Sequence, residues 1–340
     1  MILLALTVSA SARAADITLT ETGSTLLLPL FDIMVPEYVK AHPGVKIVTA
    51  GTGSGAGQDQ ALSGQVMIGA SDAYLSDRQV RDNPNILDIP VAIAAQAIAY
   101  NIPGLDTPNL RLDGPTIAGI YTGKIRQWDS PAIADLNPGV NLPHQPIIPV
   151  RRTDGSGDTF VFSQFLSFST PSWESTKGYG TSIAWPTVPG AVGVERNEAM
   201  VQAIKGTPYS IGYVGISYTS EMTAGGLGTA MLKNEAGKFV LPTREAIVEG
   251  AASLGGRTPA DERLSLAYAP GDRSYPLVNY EYVVVSAKQP DPETAAALHR
   301  FLSWVIVPSE ANAEYLDRVH FVPLPPHTWE LSQTQIDMIR

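Results

Sequence analysis

Apolar positions along the chain alternate between two periods. From Ile17 onward, short β-branched or alternating runs read as strands: Ile17 to Thr20, Val45 to Thr49, Val66 to Ala70, Pro90 to Tyr100, Ile147 to Val150, Ser210 to Val214 and Tyr280 to Ser286. Segments with helical spacing lie between them. Leu26 to Ala41 is apolar at Leu27, Leu30, Phe31, Met34, Val35 and Tyr38, which makes one buried helix face, with Pro36 expected to kink it. A second helix is expected to start after Gly55 and run to about Ser63, and a third inside Asp158 to Phe168, where Phe160, Phe162, Phe165 and Leu166 crowd one side. Pro292 to Trp304 reads as a further helix, and Pro323 to Pro326 is expected to end regular structure in a docked tail. This alternation predicts an α/β chain whose lobes are built on largely parallel sheets.

The chain of 340 residues is longer than one core usually supports, so two lobes are expected. The long apolar runs at Ala92 to Tyr100 and Tyr280 to Ser286 are candidates for two strands that cross between them. One lobe is then discontinuous, with residues 16–95 plus 278–340 in the first and 96–277 in the second. Ahead of both, Ile2 to Ala10 is a short apolar run followed by Ala12-Arg13-Ala14, a small-x-small pattern before polar Asp16. Residues 1–15 are therefore expected to be a signal peptide, although no Lys or Arg precedes the apolar run, and the protein is expected to be exported. No later stretch approaches the roughly 18 apolar residues of a membrane span.

Composition narrows the ligand. With 23 basic and 33 acidic residues, a net charge of -10 and no long run of one sign, neither a nucleic-acid footprint nor a polybasic membrane patch is expected. An anion would have to be held by local dipoles against the overall field. The absence of cysteine excludes disulfides, thiolate metal sites, a thiol nucleophile and a lipid-anchoring cysteine. The five histidines form no H-x-x-x-H or H-E-x-x-H pattern, so no metal or other cofactor is expected.

Three segments concentrate Gly, Ser, Thr and Asp at strand-to-helix junctions: Thr22 to Thr25, Gly51 to Gly57 and Asp154 to Asp158. Glycine lets backbone approach a ligand, hydroxyls donate hydrogen bonds, and free N–H groups at a helix start supply the positive end of the dipole. Any one segment alone is read as ordinary helix capping. Three together suit an oxyanion. The nucleotide patterns G-x-G-x-x-G and G-x-x-x-x-G-K-[ST] are absent, as is the G-x-S-x-G elbow of hydrolases. Arg152, just before the third segment, is placed to make paired hydrogen bonds to two anion oxygens, with Asp154 orienting it. Asp72, in Gly69-Ala70-Ser71-Asp72-Ala73, suits an anion only if that anion carries a proton, because an ionised carboxylate accepts and cannot donate. Its plain alternative is a turn or N-cap role. Trp128 reads as a packed aromatic near a turn.

Gly23-Ser24-Thr25-Leu26, Gly53-Ser54-Gly55, Gly69-Ala70-Ser71-Asp72, Tyr121-Thr122-Gly123-Lys124-Ile125 with Trp128, and Arg152-Thr153-Asp154-Gly155-Ser156-Gly157 resemble the PstS family, the phosphate-binding components of ABC-type phosphate importers. The likeness runs from about Ile17 to His320–Pro326 and looks especially close to the mycobacterial branch. The resemblance implies a two-lobed periplasmic-binding-protein fold with two crossing strands, closing on inorganic phosphate and delivering it to membrane permease subunits, as a monomer and without catalysis. It further implies that Thr25 donates its hydroxyl, Leu26 its N–H, Ser54 both, and Ser156 and Gly157 theirs from the second lobe. Arg152 would pair with phosphate, steadied by Asp154, and Asp72 would accept the ligand proton. Thr often follows the Ser-Gly pair in the family; here Asp158 does, and it is read as a second proton acceptor. Arsenate or a phosphonate would suit the same donors. An exported phosphohydrolase with Ser156 or Asp158 as nucleophile would need a metal or general base that the sequence does not supply.

Overall fold

The computed structural model describes residues 17–105 and 109–340. The signal peptide expected at residues 1–15 lies outside the described residues. A nine-stranded sheet runs through the molecule. At one end the opening strand Ile17–Gly23 pairs in parallel with Val45–Val48 on one side and Ile68–Ser71 on the other. At the other end Ile148–Arg152 pairs in parallel with Val192–Val194 and Ser210–Gly215.

One long strand joins the ends, and a strand antiparallel to it brings the chain back to the first end. Ile86–Asn101 is sixteen residues long and buried throughout its interior. Its first part, to Ala95, pairs with the return strand Val278–Ser286, and its second part, from Gln96, pairs with Ser210–Gly215. One strand therefore belongs to both halves of the sheet. The sheet is mixed rather than largely parallel, because a strand that leaves a half and a strand that returns to it must run in opposite directions. The return strand inserts between Ile68–Ser71 and Ile86–Asn101. Its register slips between Glu281 and Tyr282, which face Ala92 and Pro90, so that Val91 is left as the extra residue of a bulge. Pro90 has no N–H for a ladder, which fits this position.

Helices cover the sheet because their apolar stripes match its faces. Leu28–Ala41 retains Pro36 within the helix and buries Leu30, Phe31, Met34 and Tyr38. Phe301, from the helix Pro292–Ile306, meets Tyr38 edge-on with ring centres 5.0 Å apart. In the second half, Phe162 stacks on Tyr213 at 4.3 Å. Trp128 is fully buried and its indole N–H donates to the Tyr209 carbonyl at 3.0 Å.

The expected ending at Pro323–Pro326 is corrected by a further helix, Pro326–Ile336. Proline interrupts a helix interior but is well suited to the first turn, where its missing N–H has no helical partner in any case. This helix docks through polar groups: Ser332 and Gln335 donate to the Glu262 carboxyl at 2.8 and 2.7 Å.

Candidate functional site

The three glycine-containing segments converge where the two halves of the sheet face each other, each at a helix start. The helices are Leu28–Ala41, Ser54–Leu62 and Gly157–Ser169. Gly53 has φ +91, and a Cβ there would press on the Asp154 carboxylate and the Gly155 carbonyl, so glycine is required both by conformation and by space. The Gly55 N–H donates to the Gly155 carbonyl at 2.8 Å, joining the two halves backbone to backbone. A Cβ on Gly157 would run into the Asp72 carboxylate and the Ser54 hydroxyl.

Arg152 ends its strand almost fully buried. Its position is set from both sides: its own N–H donates to Tyr213 Oη at 3.0 Å, and that hydroxyl lies 2.8 Å from Thr159 Oγ1 on the following helix. The guanidinium donates through Nε and Nη2 to the two oxygens of Asp154, at 2.6 and 2.5 Å, and through Nη1 to Asp158 Oδ2 at 2.6 Å. Burial works to lower the Arg152 pKa, but the Asp154 hydrogen bonds and the charges of Asp158 and Asp154 hold it above its ordinary value. The cation is permanent. A cavity of about 270 Å³ lined by Arg151, Arg152, Asp154, Thr181 and Trp185 opens beside it.

Across the cleft, Asp72 follows the strand Ile68–Ser71 and is buried. Ser24 donates its hydroxyl to Asp72 Oδ1, while the Asp72 N–H donates to Ser54 Oγ at 3.2 Å. Burial raises the Asp72 pKa, opposed by the bonds from Ser24, Glu281 and Ser54 and by the Arg152 charge. Asp158 is pushed up to about 7 by burial first and the Asp72 charge second, against the pull of Arg152. Its Oδ1 is buried and meets no hydrogen-bond donor among the described residues, leaving one carboxylate oxygen uncommitted.

Thr25, Ser54, Asp72, Arg152, Ser156, Gly157 and Asp158 are thus brought into one cluster, with Asp154 behind Arg152. Ser156 caps its helix by accepting the Thr159 N–H at 3.2 Å, which leaves its hydroxyl hydrogen free to donate. The Leu26 N–H points to Ser24 Oγ at 3.1 Å. The sequence reading missed two members. Asn197 donates to Thr25 Oγ1 at 3.0 Å and to Asp158 Oδ2 at 2.8 Å, tying the two halves together, and accepts the Gly215 N–H at 2.9 Å. No glycine-rich signal surrounds it. Glu281 lies against Asp72 from the return strand and is fully buried; a lone carboxyl inside the apolar run Tyr280 to Ser286 was the available signal.

Residues 7–309 match the family model described as a PBP superfamily domain. Among curated proteins, the chain is 34% identical over 318 residues to the phosphate-binding protein PstS of Pasteurella multocida, covering 94% of this chain and 89% of the relative. It is 33% identical to the phosphate-binding protein PstS 3 of Mycobacterium leprae over 301 residues, covering 85% of this chain and 79% of the relative. These near-equal identities do not single out a mycobacterial branch. Among solved structures, the periplasmic phosphate-binding protein PfluDING, described as bound with phosphate, superposes with a TM-score of 0.73 at 19% identity, covering 94% of this chain and 93% of that one. That likeness is one of fold.

Proposed function

This chain belongs to the PstS family of phosphate-binding proteins, and from that premise we propose that the cleft cluster is its phosphate site and that it serves an ABC-type importer outside the cytoplasmic membrane. It is a solute-binding protein, not an enzyme. The observation that carries the site assignment is the juxtaposition of a buried, permanently charged Arg152 with two buried carboxyls, Asp72 and Asp158, contributed from opposite sides of the cleft.

A cation and hydroxyl donors attract any oxyanion. Buried carboxylates reject those without a proton to give, because each such contact sets two acceptors against each other. In this reading Arg152, Thr25, Ser54, Ser156 and the Gly157 N–H hold the phosphate oxygens, and the Leu26 N–H exchanges Ser24 Oγ for the ligand. Asp72 and Asp158 Oδ1 accept P–OH protons, and Asp154 keeps Arg152 in place. The two-carboxylate site is the feature that supports a mycobacterial-type arrangement. Lobes at residues 16–95 plus 278–340 and 96–277, acting as a monomer, complete the proposal.

Calorimetric titration of ligand-stripped protein tests it. Phosphate should saturate one site, and sulfate should give no comparable binding. Equal affinity for sulfate would refute the proton-acceptor roles, and absence of phosphate binding would refute the site itself.

A further inference from the structure

Glu281 stands on the return strand, fully buried, between Tyr280 and Tyr282 and at the bulge where Val91 is the extra residue. Asn279, two positions earlier and so on the same face, donates to Glu281 Oε1 at 2.8 Å. Glu281 Oε2 is buried and meets no donor among the described residues. The antiparallel register that sets Tyr282 opposite Ser71 brings Glu281, one residue earlier, level with Asp72, one residue later, so the two buried carboxyls are neighbours across the strands. Two carboxylates have no hydrogen between them, so these neighbours share a hydrogen bond only if one of the pair is protonated.

The surroundings decide which one. Asp72 receives the Ser24 hydroxyl and feels the Arg152 charge, both of which favour its ionised form. The charges that act most on Glu281 are those of two acids, Asp72 from the end of Ile68–Ser71 and Asp158 from the start of Gly157–Ser169. The paired strand places Ala92 opposite it, and the helix Ser54–Leu62 buries only neutral polar side chains, Ser54 and Gln58. Burial and the Asp72 charge therefore push Glu281 well above its ordinary value.

Building on the phosphate reading, we infer that Glu281 is a positioning residue that keeps a proton and donates it in a hydrogen bond to Asp72, turning the other face of that carboxylate toward a ligand P–OH. The proton stays on Glu281; no bond to the ligand is made or broken. With Glu281 neutral, the site presents Asp72, Asp154 and Asp158 around Arg152 and is spared a fourth negative charge. Its place on the return strand, paired with the strand that belongs to both halves, ties the orientation of Asp72 to the core of the sheet rather than to a surface loop.

Two variants and two readouts test this in the full chain. Glu281→Gln keeps a neutral donor of the same shape, and Glu281→Leu removes it. Infrared spectra of the ligand-free protein at neutral pH should lose one buried carboxylic-acid carbonyl band in Glu281→Gln. An unchanged acid band in that variant would overturn the inference. Phosphate titration should find Glu281→Gln within a few-fold of the unmodified protein and Glu281→Leu weaker by at least about tenfold, with sulfate rejection relaxed. Equal losses in both variants would reduce Glu281 to a packing residue. Should Glu281→Leu fail to fold, the infrared comparison with Glu281→Gln still decides. An unmodified protein that bound no phosphate would instead defeat the phosphate reading, while the infrared result would still report where the proton resides.

Discussion

The two sides of the cleft handle charge in opposite ways. On the side of Arg152, a guanidinium is locked by three carboxylate contacts between 2.5 and 2.6 Å, and its charge is permanent. On the side of Asp72, the neighbours are the Ser24 and Ser54 hydroxyls and a second acid, Glu281, and the local charge depends on where protons reside. Arg152 supplies attraction for any anion, and the carboxyls, Asp72 opposite it and Asp158 beside it, supply the criterion by which an anion is accepted. Separate residues for affinity and for selection can be altered separately.

The largest effect should follow from Arg152→Ala. Removing the cation takes away the charge-assisted donor to the phosphate, and truncating one partner of a buried hydrogen-bonded charge pair in a binding site costs about 2–5 kcal/mol. Phosphate titration should show a loss of that order, whereas Arg151→Ala, whose guanidinium lies over the Trp185 ring at 5.8 Å, should change little. Comparable losses at both positions would mean that the attractive side has been misassigned.

Gly157→Ala should come next. Its methyl group would collide with Asp72 and Ser54, so the two sides could not approach as they do here. Overpacking of this kind costs about 1–3 kcal/mol. Both the melting temperature of ligand-free protein and the phosphate affinity should fall, as thermal melts and calorimetry report directly.

Asp72→Asn should weaken phosphate by about 1–3 kcal/mol and, unlike Arg152→Ala, let sulfate in, since an amide can donate to an unprotonated oxygen. Retained sulfate rejection would move the selective role away from Asp72. Asp158→Thr probes the same side of the argument by pH. Asp158 is pushed up to about 7, so its ionised form grows as pH rises through that value, just as the ligand loses its second proton. Phosphate affinity of the unmodified protein should decline through this range, and Asp158→Thr should flatten the profile at fixed ionic strength.

The smallest effect separates site carboxyls from structural ones. Asp88 and Glu262 are also buried and are pushed up by burial to about 7 and about 8, but Glu262 is held by neutral donors, Ser332 and Gln335. A raised acid binds protons in the folded state that the unfolded chain has released. Its stabilising contribution is complete below the unfolded pKa near 4 and is lost as pH rises through the folded value. Melting temperature of the ligand-free protein should therefore fall between about pH 5 and about pH 9, and Glu262→Gln should remove part of that slope without altering phosphate affinity.

Much of the cluster was readable because the relevant residues sit beside their own signals. Arg152 and Asp154 flank a glycine-rich turn, and Asp72 closes a strand, so short-range spacing sufficed. Asn197 was not readable: its partners Thr25 and Asp158 lie 172 and 39 positions away, and its own surroundings resemble any exposed helix start. Strand positions followed from β-branched runs, but strand direction did not, since an apolar run carries no sign of whether its neighbour runs with it or against it. Pro326 misled because the same ring that terminates one helix can open another, and only the docking of Ser332 and Gln335 distinguishes the two.

The strand Val278–Ser286 lies between Ile68–Ser71 and Ile86–Asn101 in the sheet, although it comes far later in the chain than either. A chain lengthening from its N-terminus therefore cannot complete the first half of the sheet until almost all of it has emerged. Until then two apolar strand edges have no partner, and pairings of such long sequence separation form slowly. The return strand is the piece whose arrival joins the opening parallel strands to the long strand and closes the sheet.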